Sequence, residues 1–129
     1  MITAYLVGIS TYQENEDIEI RYSIFKDDVL ICKDSEWQSY KKPYIVTHVA
    51  LMVLLKRLKK YKDEEITIVI NDGALYEQIR GTSSTHKQDV IKAVKKVKEA
   101  LDRFGGQVTI KNVSTNSEAM KEWNKKLNA

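Results

Sequence analysis

The sequence predicts one α/β domain, spanning residues 1–129, in which helices cover both faces of a mixed five-stranded sheet. Isoleucine and tyrosine alternate with polar residues over 18–25, which is the period of a strand buried on one face. The β-branched run 66–70 is apolar at nearly every position, as in a strand that is covered on both sides. Apolar residues recur at steps of four and three over 85–104, which indicates a long amphipathic helix.

The other elements are predicted from shorter patterns and from turn residues. A turn at Lys26-Asp27-Asp28 separates the second strand from the third, and Gly81 and Gly105 follow predicted helices. Thr47, at the start of the first helix, is expected to cap it. In chain order βββαβααβα, the predicted elements are strands 2–12, 18–25 and 29–32, helix 47–61, strand 66–70, helices 74–80 and 85–104, strand 108–110, and helix 115–127.

The segment between the third strand and the first helix, residues 34–46, is expected to be irregular. It contains Trp37, Tyr40, Tyr44 and the only proline of the chain. We expect these aromatic side chains to pack over the edge of the sheet. A protein-binding patch is the alternative.

The composition is that of a globular protein without a membrane partner, with 43% hydrophobic and 30% charged residues. The longest apolar stretch, 49–55, is far shorter than the ~20 residues that span a bilayer. Residues 1–7 lack the features of a signal peptide. The single cysteine, Cys32, permits no internal disulfide and is expected to be a structural thiol. We therefore expect a cytoplasmic protein.

Five short segments together carry a family resemblance. A strand ends in an acidic residue that opens a short helix closing on glycine, a long helix contains Lys-Val-Lys-Glu, and the last helix begins with Asn-x-x-Ala. The segments are Thr47–Leu51, Ile70–Gly73, Arg80–Gly81, Lys96–Leu101 and Asn116–Met120. In this order they resemble the reverse-transcriptase-like branch of the ribonuclease H family. The resemblance implies a ribonuclease H-like fold, RNA–DNA hybrid as substrate, and two divalent ions held by acidic side chains.

The resemblance also places the four acidic metal ligands of the family, and three of these positions are apolar here. They correspond to Val7, Leu51, Asp72 and Met120, so Asp72 is the remaining carboxylate. Mg²⁺ requires oxygen ligands, and Glu118 lies on a different helix face from Met120. We therefore predict a catalytically degenerate domain without a resident cofactor. The alternative is a Mg²⁺- or Mn²⁺-dependent ribonuclease that uses Asp72, although an Asp before Gly is also a common helix cap.

The long helix carries a local excess of lysine, whereas the net charge of the whole chain is only +3. Such a helix face can neutralise nucleic-acid phosphates, or it can simply be a solvated surface. The predicted nucleic-acid-binding residues are Lys87, Lys92, Lys95, Lys96 and Lys98. A non-catalytic protein-interaction or self-assembly module, with a protein partner or a second copy, is the remaining alternative.

Three further basic or titratable features receive structural interpretations. His48 and His86 are both expected to be solvated side chains in the first turns of helices. The lysines and arginine within residues 56–62 are expected to complement the dipole of the first helix.

Overall fold

The computed structural model describes residues 1–11 and 13–129, and it forms one mixed sheet between two layers of helices. The predicted order βββαβααβα and the sheet size are confirmed over these residues. The strands are β1 (Ile2–Ile9), β2 (Ile18–Lys26), β3 (Val29–Gln38), β4 (Ile66–Ile70) and β5 (Val108–Asn112). The helices are α1 (Val46–Leu58), α2 (Gly73–Arg80), α3 (Gln88–Asp102) and α4 (Ser117–Leu127), with short 3-10 turns at Pro43–Ile45 and Lys59–Tyr61.

The sheet has the strand order β3-β2-β1-β4-β5. β1, β2 and β3 form an antiparallel meander, whereas β4 runs parallel to both β1 and β5. The carboxyl ends of β1, β4 and β5 therefore lie together, at what we call the carboxyl edge of the sheet. The turn between β2 and β3 is confirmed, since Asp27 and Asp28 both adopt the left-handed conformation that a tight hairpin requires.

Alternation along β1 directs its side chains into two different layers. Ile2, Ala4 and Leu6 are fully buried and join the main core with the apolar side of α1. On the opposite face, Trp123 of α4 donates a hydrogen bond from Nε1 to the Leu6 carbonyl oxygen at 3.0 Å. Burial raises the pKa of the Tyr5 phenol, and the charge of Glu122 on α4 adds to that increase. The prediction of helices on both faces is therefore confirmed.

The meander extends further than the sequence indicated. β3 continues through Gln38, because its full length pairs with β2 as far as Ile18, so the irregular segment predicted from residue 34 is wrong over 34–38. Trp37 consequently lies on an edge strand and is 65% exposed instead of packing over the sheet. The first predicted strand ends early, at Ile9, and its predicted last residue, Tyr12, lies outside the described residues.

The observed helix boundaries differ by a few residues from the predicted ones. The expected cap Thr47 is instead an internal residue of α1, which begins at Val46 directly after the 3-10 turn. The final helix is capped by Asn116, whose Oδ1 accepts a hydrogen bond from the Ala119 amide at 3.0 Å. Within residues 1–11 and 13–129, no helix is both long and apolar enough to cross a membrane.

Candidate nucleic-acid interface

The carboxyl edge of the sheet places Asp72 beside the end of β1. β1 and β4 pair in parallel with Tyr5 opposite Val69, so Val7 and Asp72 both follow the last paired residues at this edge. Gly8 lies against the first residue of α1, because a Cβ atom added there would come within 2.7 Å of a Val46 side-chain carbon. The beginnings of α1 and α2 are therefore both close to this edge.

Asp72 has a structural role in the described residues. It is the N-cap of α2, and its Oδ1 accepts a hydrogen bond from the Leu75 amide at 2.9 Å. An N-cap carboxylate satisfies an otherwise unpaired amide and interacts favourably with the helix dipole. The capping interpretation of this residue is thus confirmed, whereas a catalytic role for Asp72 stays a prediction.

The other proposed ligand positions carry side chains that do not ligate hard metal ions. Leu51 is 0% exposed and belongs to the main core. Val7 and Met120 are half-buried hydrocarbon and thioether side chains. Across residues 1–11 and 13–129, no group of three or more His, Cys, Asp or Glu side chains is arranged to hold a metal ion. The donor set therefore does not fit a pair of Mg²⁺ or Mn²⁺ ions.

The predicted lysines of the long helix do not share one face. Lys92 and Lys96, one helical turn apart, line a cavity of about 250 Å³ between α1 and α3. Lys41 lines the same cavity from the segment before α1. Lys98 instead lines a separate depression on the α2 side of α3. The structure therefore brings Lys41, Lys92 and Lys96 together.

Sequence reasoning missed Lys41, because the segment between β3 and α1 has no periodicity that would place it. Two other predicted lysines are near this cluster in sequence but do not line the cavity. Lys95 is on α3, one residue from Lys96. Lys87, at the start of α3, lies over the ring of Tyr44 with its Nζ 4.1 Å from the ring centroid. A cation–π contact of this kind holds the ammonium group in place while leaving its charge available.

One acidic side chain balances part of this charge. Asp89 lines the same cavity, and its Oδ2 accepts a hydrogen bond from the Tyr44 hydroxyl at 2.7 Å. Lys42 places its Nζ 3.6 Å from the same oxygen. The hydrogen bond from Tyr44 holds the pKa of the Asp89 carboxyl below its usual value, so this side chain is ionised at neutral pH. Asp89 is thus engaged by Tyr44 and Lys42, which fasten the segment before α1 to the first turn of α3.

The position of His48 differs most from its prediction. It was expected to be solvated, but it is 1% exposed and lines the cavity from α1. Its Nε2 lies 2.6 Å from Oε1 of Gln78, which belongs to α2. Its Nδ1 is buried and has no hydrogen-bond partner among residues 1–11 and 13–129. The expectation was wrong because α1 packs against α3, and this side of α1 also meets Gln78 of α2 through the His48 hydrogen bond. His86 is exposed as expected, but it precedes α3, which begins at Gln88, and so does not lie in the first turn of that helix.

Solved structures with the same overall architecture are ribonucleases H. LC11-RNase H1, isolated from compost by a metagenomic approach, superposes with a TM-score of 0.77 and 14% identity, over 98% of this chain and 95% of that one. The same enzyme in complex with an RNA/DNA hybrid gives a TM-score of 0.76 at 15% identity, over 99% and 97% of the two chains. RNase H1 from the halophilic archaeon Halobacterium salinarum gives 0.70 at 16%, over 98% and 97%.

These likenesses show that the chain has the ribonuclease H-like fold that its sequence predicted. No family model and no curated protein matches the chain.

Proposed function

We propose that this chain is a ribonuclease H-like domain that binds nucleic acid without cleaving it. The observation that carries the proposal is the cluster of Lys41, Lys92 and Lys96 around one cavity between α1 and α3. Lysines arranged in this way neutralise phosphates without reading sequence. Lys95 lies between Lys92 and Lys96 in the sequence of α3, and Lys87 precedes the first residue of that helix.

The location of the cluster supports the same proposal. The cavity includes His48, near the beginning of α1, and the preceding Val46 packs against Gly8 at the end of β1. The lysines therefore lie on the side of the molecule toward the carboxyl edge. The RNase H1 that was crystallised with an RNA/DNA hybrid has this fold throughout, which favours a hybrid or a duplex as the partner.

The absence of cleavage is proposed from the chemistry of the ligand positions. Val7, Leu51 and Met120 offer no oxygen ligands, and Asp72 already accepts a hydrogen bond as the cap of α2. A single carboxylate does not neutralise two divalent ions or replace enough of their water ligands. We also propose, from the segments at 47–51, 70–73 and 116–120, that the chain derives from the reverse-transcriptase-like branch.

A fluorescence-anisotropy titration against a labelled RNA–DNA hybrid at two salt concentrations tests the binding. We expect affinity that falls steeply with salt, because each neutralised phosphate releases counterions. Replacing Lys92, Lys95 and Lys96 with Glu should weaken binding at both salt concentrations. It should also reduce the slope of log affinity against log salt by about 0.9 for each phosphate that is no longer neutralised.

The matched control replaces Lys56, Lys59 and Lys62 with Glu, which changes the net charge equally at the far end of α1. An equal loss of affinity in both variants would mean that binding follows net charge and not the α3 cluster, against the proposal. Incubation of the hybrid with Mg²⁺ or Mn²⁺ tests the second part. Cleavage that disappears in Asp72→Asn would establish the ribonuclease alternative.

A further inference from the structure

A second cavity lies between the carboxyl-terminal half of α1 and the end of α3. Its volume is about 260 Å³, and we call it the anchor pocket. Its floor is apolar and formed by Met52, Leu55, Ala100 and Phe104, the last three of which are almost entirely buried. α1 begins near the carboxyl edge of the sheet and ends just before β4 begins. The anchor pocket is therefore at the opposite end of the molecule from the beginnings of α1 and α2.

The rim of the anchor pocket is exclusively basic. Lys56, Lys59, Lys62 and Arg103 line it, and no carboxylate is among the described residues that do so. All four cations are exposed, and none forms an ion pair within residues 1–11 and 13–129. The side chains that line the rim therefore carry positive charge only.

The dipole of α1, which the sequence suggested as the reason for this basic cluster, accounts for only part of it. Lys56 lies in the last turn of α1 and Lys59 directly follows it, so both benefit from the negative end of the dipole. Lys62 follows the 3-10 turn after α1, and Arg103 follows α3, a different helix. Residues from two helix ends thus converge on one apolar opening, an arrangement that the dipole of a single helix does not explain.

We propose that the anchor pocket binds an acidic peptide segment of a partner protein. The segment inserts one apolar side chain into the pocket, and acidic residues of the segment flank that side chain. Its volume lies below the about 300–1,000 Å³ of pockets for drug-sized ligands, which suits one large side chain. Apolar anchors in desolvated pockets dominate the affinity of protein interfaces. The basic rim supplies the complementary charge that attracts and orients acidic flanking residues. The assignment does not depend on the nucleic-acid proposal.

The apolar floor of the pocket favours a peptide over a nucleic acid as the occupant. Phosphates need only the four cations and make no use of a buried apolar floor. Base stacking requires accessible aromatic faces, whereas Phe104, the only aromatic lining residue in the described chain, is 6% exposed. An occupant that uses both the rim and the floor carries negative charge and an apolar group together.

The test uses the whole protein and a fluorescein-labelled peptide with phenylalanine flanked on each side by three acidic residues. A second peptide has serine in place of the phenylalanine and tests the apolar anchor without altering the protein. We expect the phenylalanine peptide to bind at low salt and the serine peptide to bind at least about tenfold more weakly, as for an interface hot spot.

Two protein variants locate the binding site. Replacing Lys56, Lys59 and Lys62 with Glu removes three of the rim cations and should weaken peptide binding at least about tenfold. Replacing Lys92, Lys95 and Lys96 with Glu gives the same net charge and should leave peptide affinity unchanged. For the RNA–DNA hybrid the expected effects of the two variants are reversed: the α3 variant should weaken binding and the Lys56, Lys59 and Lys62 variant should not. Failure of the peptide proposal can therefore be distinguished from failure of the nucleic-acid proposal.

Three outcomes would each overturn the inference. The first is equal binding of the phenylalanine and serine peptides, or no binding of either, which would leave the apolar floor without a function. The second is unchanged affinity in the Lys56, Lys59 and Lys62 variant, which would place the peptide elsewhere. The third is loss of hybrid binding in that variant, together with competition between hybrid and peptide, which would make the anchor pocket a nucleic-acid contact.

Discussion

Substitutions of Leu51 test whether this position, which corresponds to a metal ligand in ribonucleases H, is sealed inside the core and inaccessible to a metal ion. It is 0% exposed and packs in the main core, where the resemblance to ribonucleases H places an acidic metal ligand. Leu51→Ala removes buried methyl groups and should cost about 2–5 kcal/mol of unfolding free energy. A domain of this size has a total stability of about 5–15 kcal/mol, so the loss is a large share of it and should appear as a lower urea midpoint.

Leu51→Glu should be less stable than Leu51→Ala at pH 7, because it adds a desolvated carboxylate to the lost packing. Burial disfavours the charged form and raises the pKa of the new carboxyl above the about 4.3 of a free glutamate. A raised native pKa means that the relative stability of the variant is greatest below that unfolded value and decreases as the pH rises through the native value. The deficit relative to Leu51→Gln, the uncharged isostere, should therefore be large at pH 7 and small at pH 4.

Urea unfolding of the three variants at both pH values, with and without excess Mg²⁺, measures these differences. We expect Mg²⁺ to stabilise Leu51→Glu no more than Leu51→Gln, since no group of three or more His, Cys, Asp or Glu side chains within the described residues is arranged to hold a metal ion. Selective stabilisation by Mg²⁺ would refute the reasoning, because a ligand that binds the native state raises its stability. It would show that the position opens onto the carboxyl edge and that the site is only one substitution from binding a metal.

Two further predictions concern single hydrogen bonds. Asp72→Ala should lower the unfolding free energy by about 1 kcal/mol through loss of the α2 cap, and Asp72→Asn should retain most of that stability; equal losses in a urea titration would contradict the capping role. Tyr44→Phe should raise the pKa of Asp89 toward 3.8, because the Tyr44 hydrogen bond is the main cause of its depression, as followed by NMR titration of the carboxyl with Tyr40→Phe as the control. Since the native pKa of Asp89 is depressed, its contribution to stability is present above the usual pKa and lost as the pH falls, so Tyr44→Phe should also flatten the acid limb of the stability curve.

The succession of elements could be predicted because each one carries its own periodic pattern. The alternation over 18–25 and the apolar run at 66–70 identify strands without reference to their neighbours, and the stripe on α3 identifies a helix. The same local information placed Asp72 before a glycine at the end of a strand, where it caps α2. Together with the family resemblance, the sequence also showed that the metal-ligand positions 7, 51 and 120 are occupied by apolar residues.

Features that depend on two distant segments were not predictable in this way. The second half of β3 has no clear alternation, and it becomes a strand because β2 offers its full length for pairing. His48 is buried where α1 packs against α3, and its hydrogen-bond partner, Gln78 of α2, lies 30 residues later in the chain. Likewise, the convergence of Lys41 with Lys92, and of Arg103 with Lys56, arises only when α3 packs against α1.

The sequence by itself therefore determined the kind and order of the elements and which sides of them are apolar, since these follow from the spacing of side chains along the backbone. The tertiary structure alone decided which polar groups are brought together, because that depends on the packing of surfaces that are far apart in the chain. Both candidate sites belong to this second class. Each is a space between α1 and α3, and neither exists in either helix alone.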